Sequence, residues 1–237
     1  MKGYVMKSVI KFNKEKKVSL KIIAHKLKKL SPNFLYKVLL RYRYAFFKSK
    51  CSKINTSEIF YSDGDWVERK TTKDLMKIQD YLDGKSTNMK IFQVGIGNSS
   101  LFSHFKDDLG VEIHGVTIVS NEICNAKQKF PEQIENSYFV HLMNKYSDDV
   151  LTTGSEYDYI VDNDLSSYAC CKFHFYRMLE NYNKLLKLNG ELLVGYNGLS
   201  YFDSGFGLTE NQLYSLASQF DFLVSKNHYC YVMKKIK

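Results

Sequence analysis

From residue 89 to the end of the chain, short apolar runs alternate with segments in which apolar residues recur every three or four positions. The short runs predict buried strands and the longer segments predict helices, an alternation typical of a parallel sheet covered by helices on both faces. The predicted strands are Lys90–Val94, Val111–Val116, Tyr138–Leu142, Tyr157–Val161, Glu191–Gly195, Phe220–Val224 and Tyr229–Met233.

The clearest helical pattern lies between residues 171 and 187, where large apolar residues follow the i, i+3, i+4, i+7 spacing of one buried face. The pair Asn189-Gly190 follows, which favours the left-handed backbone with which many helices end. The last two strands have no helix between them and therefore predict an antiparallel hairpin. The predicted helices are Ser100–Asp108, Ser120–Lys129, Asn144–Leu151, Cys171–Lys187 and Thr209–Gln219.

Together these elements predict a doubly wound α/β fold with a mostly parallel, seven-stranded sheet and an antiparallel hairpin at its C-terminal edge. We divide the chain into three parts. Residues 1–53 form a basic, amphipathic helical extension, residues 54–88 form linker helices suited to act as a lid, and residues 89–237 form the ligand-binding α/β domain.

The extension differs from the rest of the chain in charge. Lysines alternate with apolar residues on both sides of Pro32, which predicts two short amphipathic helices. Residues 1–53 hold 16 of the 34 basic and one of the 25 acidic residues, so they carry +15 and the remainder carries −6. Three roles stay open for the extension: docking on the core or a partner, peripheral contact with an anionic membrane, and nucleic-acid binding. Because the α/β domain is acidic, we expect no nucleic-acid partner for it.

Cysteine and histidine usage bears on metals and on location. The five cysteines include no C-x-x-C pair and the six histidines are scattered, so we predict reduced thiols and no metal site. No run approaches the roughly 20 apolar residues of a membrane span, and the start of the chain lacks the pattern of a cleaved signal peptide. We therefore expect a cytoplasmic protein, with peripheral contact at the inner membrane face through residues 1–53 as an option.

The first predicted strand of the domain runs into a turn that contains Gly95 and Gly97 and then opens a helix. Such glycines permit unusual backbone angles and let a ligand approach the main chain closely. A dinucleotide-binding loop has the form G-x-G-x-x-G, and Ser100 stands at the third position here. The turn by itself therefore indicates a nucleotide-type ligand without identifying it.

Four segments in order carry a more specific resemblance. Val94–Ser100, with the letters V-G-I-G-N-S-S, resembles the first motif of class I S-adenosylmethionine-dependent methyltransferases. Gly115–Glu122 is similar to the segment after the second strand of fatty-acid cyclopropane synthases and related methyltransferases. Tyr157–Asn163 and Leu185–Leu193 look like the fourth strand and the entry to the fifth. The resemblance covers residues 89 to 233 and implies a Rossmann-like methyltransferase fold with S-adenosylmethionine as cofactor.

The resemblance also implies where the cofactor binds. Thr117, with Glu122 nearby, stands where many members carry an acidic residue for the ribose, and Gln93 stands where Glu or Asp is common near the methionine amino group. The segment before the first strand often closes over the cofactor in this family; Tyr61, Trp66, Arg69 and Lys70 are its candidates here, with an aromatic packing anchor as the alternative. The expected cofactor contacts are Gln93, Gly95, Ile96, Gly97, Asn98, Ser99, Thr117, Ile118, Glu122, His141, Asp162, Asn163 and Tyr61.

The polar and aromatic segment that follows the fourth strand, residues 162–174, is interpreted as the acceptor loop. Asp164 and His174 are its candidate catalytic residues, since a carboxylate or an imidazole can take a proton from the acceptor. Two alternatives stay open. Asp162–Asp164 can instead cap the next helix, and His174, one turn into an amphipathic helix, can be a packed histidine.

These observations predict methyl transfer from S-adenosylmethionine to a small-molecule or glycan-type acceptor, on oxygen more readily than on nitrogen. The preference for oxygen rests on the absence of an N-P-P-Y or D-P-P-Y motif and on the acidic charge of residues 54–237. The basic amphipathic start keeps a lipid-linked acceptor open. Two other hypotheses are a nicotinamide-dependent oxidoreductase and a non-catalytic adaptor that binds a partner or a membrane.

Overall fold

The computed structural model of the chain describes residues 67–85, 88–167, 169, 171–199 and 207–237. The predicted helical extension at residues 1–53 lies outside the described residues, as do Tyr61 and Trp66. The first described element is therefore the helix that precedes the sheet.

Seven strands form one sheet: β1 (Met89–Val94), β2 (Val111–Thr117), β3 (Tyr138–Leu142), β4 (Tyr157–Val161), β5 (Leu186–Val194), β6 (Phe222–Lys226) and β7 (Tyr231–Lys235). Their order across the sheet is β3-β2-β1-β4-β5-β7-β6. Strands β1 to β5 pair in parallel, whereas β7 pairs antiparallel with both β5 and β6. The predicted mostly parallel, seven-stranded sheet with an antiparallel C-terminal hairpin is confirmed.

The described α-helices are α1 (Lys73–Asp83), α2 (Ser100–Phe105), α3 (Ser120–Lys129), α4 (Lys172–Leu185) and α5 (Glu210–Ala217). Two 3-10 helices, Asp148–Thr153 and Ser218–Phe220, complete the described helical structure. In the part of the chain that the structure describes, none of the helices combines the length and the apolar character that crossing a membrane requires.

The prediction of a helix at Asn144–Leu151 is wrong. A turn stands at its start, and the 3-10 helix begins only at Asp148. The Asn144 side chain accepts a hydrogen bond from the N–H of Tyr146, and the Ser147 side chain accepts one from the N–H of Asp149. Short polar side chains that bond nearby N–H groups compete with the helical ladder. These two bonds therefore favour a turn directly after β3.

The end of α4 also differs from the prediction. The helix ends at Leu185, two residues earlier than expected, because Leu186 already has the extended backbone of β5. Asn189 has the expected left-handed backbone, with φ of 66°, but it lies within β5. The sequence thus predicts the left-handed conformation at the correct residue, but places it after the end of α4 instead of within β5.

The last two strands each begin two residues later than predicted. Asp221 adopts a left-handed conformation after the second 3-10 helix, which delays β6 to residue 222. The Asn227 side chain then accepts from the N–H groups of Tyr229 and Cys230 and thereby fixes the hairpin turn. Side-chain bonds of this kind are strong local determinants of turns, so β7 starts only at Tyr231.

Apolar side chains cover both faces of the sheet, as a parallel sheet between helices requires. On one face, the ring of Tyr182 from α4 packs edge-on against Phe92 of β1, with centroids 6.4 Å apart. On the other face, Phe102 of α2 stacks on Tyr138 of β3 at 4.2 Å and meets Phe130 edge-on at 5.0 Å. These aromatic contacts fix the helices on the sheet.

We expect Phe102→Ala to lower the free energy of unfolding by about 3–5 kcal/mol, because Phe102 is 1% exposed and fills the space between α2 and β3. Denaturant unfolding followed by circular dichroism measures this loss. Phe173 on α4 is 62% exposed, so Phe173→Ala is the matched control and should stay within about 0.5 kcal/mol of the parent. Equal losses for the two variants would contradict the assigned core.

Candidate functional site

A cleft opens beyond the carboxyl ends of β1 to β4, where the loops of these strands meet the segment that leads into α1. The strand order reverses between β1 and β4, and such a reversal leaves a crevice in open α/β sheets. The cleft is lined by residues 69–72, Leu75, residues 93–98, Ser100, residues 116–119, Glu122, residues 143–146, residues 161–164 and Ser167.

The turn after β1 lies along this cleft. Gly95 and Gly97 have φ values of 74° and 52°, in the left-handed region where a side chain is unfavourable. The N–H of Gly95 donates to the carbonyl of Val116 in β2 at 2.8 Å, which holds the turn on the end of the sheet. A Cβ placed on Gly95 would have no atom within 4 Å. The space beside Gly95 is therefore open to a ligand.

A buried carboxylate supports the same turn. Glu122 in the first turn of α3 is 2% exposed. Its Oε2 accepts from the N–H of Gly97 at 3.0 Å and from the hydroxyl of Thr117 at 2.6 Å. The side chain of Asn98 accepts from the N–H of Ser100 at the start of α2, at 3.0 Å. Both of these N–H groups are thus engaged, and one of them bonds a negatively charged side chain.

Gln93 offers the cleft an acceptor. The side chain is 1% exposed, and its Nε2 donates to the carbonyl of Gly95 at 3.2 Å. Its Oε1 is buried and has no hydrogen-bond partner within the described ranges. Because buried polar atoms are nearly always hydrogen-bonded, this oxygen is suited to accept from a ligand group in the cleft.

Three asparagines hold residues 69–74, which lead into α1 and include its first two residues, against the loops of the cleft. Asn98 donates to the carbonyl of Arg69 at 2.8 Å, and Asn163 donates to the hydroxyl of Thr72 at 3.2 Å. Asn197, after β5, donates through its backbone N–H and its side chain to Asp74, at 2.8 and 3.0 Å. The segment is therefore tied to loops that follow three different strands.

The loop after β4 contains two acidic residues that differ in their burial and in their bonding partners. Asp162 is 1% exposed, and its carboxylate accepts from the ammonium group of Lys145 at 3.0 and 3.2 Å and from the hydroxyl of Tyr182 at 2.8 Å. The Asp164 carboxylate has no hydrogen-bond or ion-pair partner among the described residues. Burial and the Asp162 carboxylate raise the pKa of Asp164 to about 6, in spite of the opposing effect of Lys145.

Most of the predicted site residues come together in the cleft: Gln93, Gly95, Ile96, Gly97, Asn98, Thr117, Ile118, Glu122, Asp162, Asn163 and Asp164 line it. Ser99, His141 and His174 do not. In the described part of the chain, no group of three or more His, Cys, Asp and Glu side chains is arranged to hold a metal ion.

The three residues outside the cleft have packing roles. Ser99 is fully buried, and its hydroxyl oxygen accepts from Tyr138 at 3.0 Å. His141 stacks with His114 on β2, ring centroids 6.0 Å apart, and burial lowers its pKa. His174 lies 3.3 Å from the sulfur of Cys171, which caps α4, and burial lowers its pKa. His174 thus has the position of a packed histidine, and the cap of α4 is a cysteine rather than an aspartate.

The sequence does not single out Lys145 or Tyr182. Lys145 follows β3 by three residues, so its place at the carboxyl edge of the sheet was the one available signal. Tyr182 belongs to the apolar stripe of α4, and nothing in that pattern distinguishes its hydroxyl from a buried ring. Both side chains reach Asp162 only because the fold brings β3, β4 and α4 together.

Replacing Glu122 by alanine leaves the N–H of Gly97 and the hydroxyl of Thr117 without their acceptor. Unsatisfied buried donors are costly, so we expect the free energy of unfolding to fall by about 1–3 kcal/mol. Urea titration at neutral pH measures the change. Glu132 is exposed and lies outside the cleft, so Glu132→Ala should stay within about 0.5 kcal/mol of the parent. An unchanged unfolding midpoint for Glu122→Ala would refute these bonds.

Asp164→Asn should stabilise the fold increasingly as pH rises from 3.8 to about 6, and fully above that pH. That pKa is raised in the folded state, so the folded state holds the proton more tightly and stability falls as pH rises through about 6. The urea midpoint of Asp164→Asn should therefore be close to that of the parent at about pH 4 and higher than that of the parent at about pH 8. For Asp162→Asn, the free energy of unfolding should fall by about 3–5 kcal/mol at the higher pH, because the Lys145 charge loses its counter-ion. A loss of stability in Asp164→Asn at the higher pH would count against this assignment.

The sequence matches no family model and none of the curated proteins. Solved structures do match. The carbon methyltransferase of CurJ is 14% identical with a TM-score of 0.52, over 70% of this chain and 54% of that chain. This chain thus spans about half the length of the CurJ structure.

Two further structures include S-adenosylhomocysteine. The N-methyltransferase NodS from Bradyrhizobium japonicum WM9 is 11% identical with a TM-score of 0.54, over 74% of this chain and 90% of that chain. The 1,6-didemethyltoxoflavin-N1-methyltransferase from Burkholderia thailandensis, solved with 1,6-didemethyltoxoflavin, is 15% identical with a TM-score of 0.52, over 70% and 79% of the two chains. At such identities the likeness establishes the fold. The chain has the Rossmann-like fold of class I S-adenosylmethionine-dependent methyltransferases.

Proposed function

We propose that the chain is an enzyme that transfers a methyl group from S-adenosylmethionine. The observation that carries the proposal is the Glu122 carboxylate, 3.0 Å from the N–H of Gly97 in the turn after β1. A dinucleotide places its pyrophosphate against free N–H groups of such a turn and of the following helix. Here a carboxylate engages one of them and Asn98 engages another. A negative charge at this place favours a ligand that is cationic and brings no phosphate, as S-adenosylmethionine does.

The residues of the cleft fit the parts of this cofactor. The unpartnered Oε1 of Gln93 would accept from the methionine ammonium group, and the open main chain at Gly95 would border it. Thr117 and Glu122, at the end of β2, would meet the ribose hydroxyls. When bound, the cofactor supplies a methyl group already activated on its sulfonium. The protein then needs to position the reactants and exclude water, and the segment held by the three asparagines suits the second task.

Asp164 supports an acceptor that loses a proton. The residue lines the cleft, and a pKa of about 6 leaves its carboxyl group ionised at neutral pH while keeping it close to the working range of a general base. A hydroxyl acceptor gains most from such a base, so we favour O-methylation of a small-molecule or glycan-type acceptor. A lipid-linked acceptor, peripheral membrane contact through residues 1–53 and a cytoplasmic location stay predictions from the sequence.

Isothermal titration with S-adenosylhomocysteine and with NADH tests the proposal. We expect the former to bind and the latter not to bind. Gly95→Val should weaken S-adenosylhomocysteine binding by about tenfold or more, because the side chain enters the space beside the turn. Gly154 also has a positive φ, of 122°, and lies outside the cleft. Gly154→Val is therefore the matched control and should keep the parent affinity.

The alternative hypotheses predict other results. Binding of NADH without S-adenosylhomocysteine would indicate a nicotinamide-dependent oxidoreductase and overturn the proposal. Binding without transfer of labelled methyl to any member of a panel of hydroxyl and amine acceptors would favour the non-catalytic adaptor. Label recovered only on amines would keep the methyltransferase and refute the preference for oxygen.

A further inference from the structure

Lys145 is a buried lysine with an unusual set of partners. Its side chain is 6% exposed, and its Nζ lies 2.9 to 3.2 Å from five oxygen atoms. These are the two carboxylate oxygens of Asp162, the carbonyl oxygens of Asp164 and Leu165, and the hydroxyl oxygen of Ser167. All five belong to residues 162–167, which we call the β4 loop. The ammonium group therefore draws the oxygens of one loop toward a single point.

Stability alone does not account for this arrangement. Lysine is rarely buried, and an ion pair in a protein interior can often be replaced by apolar residues of similar volume without loss of stability. What apolar residues cannot supply is a donor to the two carbonyl groups, which must find partners if the loop is to keep its path. The specific contribution of the ammonium group is thus the conformation of the β4 loop.

That conformation determines where Asp164 points. Its carbonyl oxygen accepts from Lys145 at 2.9 Å and from the N–H of Ser167 at 2.9 Å, and the residue lines the cleft. Tyr146, next to Lys145, donates from its hydroxyl to the carbonyl of Ser167 at 2.5 Å. The turn after β3 consequently holds the β4 loop at several points, and Asp164 lies where this loop borders the cleft.

We propose that Lys145 is a positioning residue whose ammonium group fixes the β4 loop, so that the unpaired Asp164 carboxylate faces the acceptor end of the cleft. The use of Asp164 toward an acceptor rests on the proposed function. The positioning does not, because it can be measured in the ligand-free protein. S-adenosylhomocysteine titration of the parent reports on the proposed function separately, so the two can fail independently.

Amide exchange reports the position of the loop, because the pKa of Asp164 also responds directly to the charges around this residue. The charged groups that act on it are Asp162, Lys145 and Asp74. Removing Lys145 together with Asp162 keeps the local net charge, but Asp162 raises the pKa of Asp164 by more than Lys145 lowers it, so the loss of the pair itself lowers this pKa. Tyr182 donates to Asp162 and would be left unpaired, so it is changed as well. The test variant is Lys145→Met/Asp162→Leu/Tyr182→Phe.

In this variant we expect Asp164 to titrate closer to its ordinary value of 3.8 instead of near 6, because the repulsion from Asp162 is gone and a released loop exposes the carboxyl group to water. Carboxyl carbon NMR follows the titration, and Asp164→Asn assigns the signal. The N–H groups of Ser166 and Ser167, which donate to Gly198 and Asp164, should exchange with deuterium about tenfold faster or more. Parent exchange rates at Ser166 and Ser167 in this variant would overturn the proposal, whatever the titration of Asp164.

Two controls separate positioning from general loss of stability. Tyr182→Phe keeps Lys145 and Asp162, and Leu179→Ala removes a buried side chain elsewhere on α4. Both should leave the Asp164 titration and the loop exchange at parent values. If the triple variant does not fold, Ser167→Ala removes a single oxygen from around Lys145. It should speed exchange at Ser166, and unchanged exchange there would overturn the proposal.

Discussion

The reversal of strand order between β1 and β4 is the constraint on which the site depends. Parallel strands need crossover connections over a face of the sheet, and β1 is extended by β2 and β3 on one side and by β4 on the other. All four strands point their carboxyl ends at the same edge, so the loops that leave them separate at the reversal. Residues far apart in the chain, such as Gly95, Lys145 and Asp164, consequently line a single cleft.

Three carboxyl groups in the cleft differ in their hydrogen-bond and ion-pair partners. Glu122 is satisfied by a backbone N–H and a hydroxyl, and Asp162 by an ammonium group and a phenol. Asp164 has no such partner among the described residues, and burial together with the Asp162 charge raises its pKa. Because an unpaired charge that is partly removed from water is costly, stability does not favour this state. It is the expected state of a group that meets a ligand, since active sites commonly sacrifice stability for function.

The sequence allowed much of the fold and part of the site to be predicted. Strands β1 to β5 were recognisable because parallel strands buried on both faces are continuous apolar runs. Thr117 and Glu122 bond each other across five residues of one motif, so a local pattern was enough to pair them. Lys145 bonds oxygens 17 to 22 residues away, and a lysine after a strand ordinarily indicates an exposed residue. No local pattern carries that contact, nor the turn that replaced the helix predicted at Asn144–Leu151.

The low identity to structures of the same fold has a related physical cause. Apolar core positions tolerate exchange among side chains of similar volume, so a sheet and its helices persist while most residues change. The oxygens around Lys145 tolerate no such exchange, because they require a donor of one length and charge at one point. Features specific to this chain should therefore lie in its buried polar contacts rather than in its core. The β4 loop is the place where such contacts border the cleft.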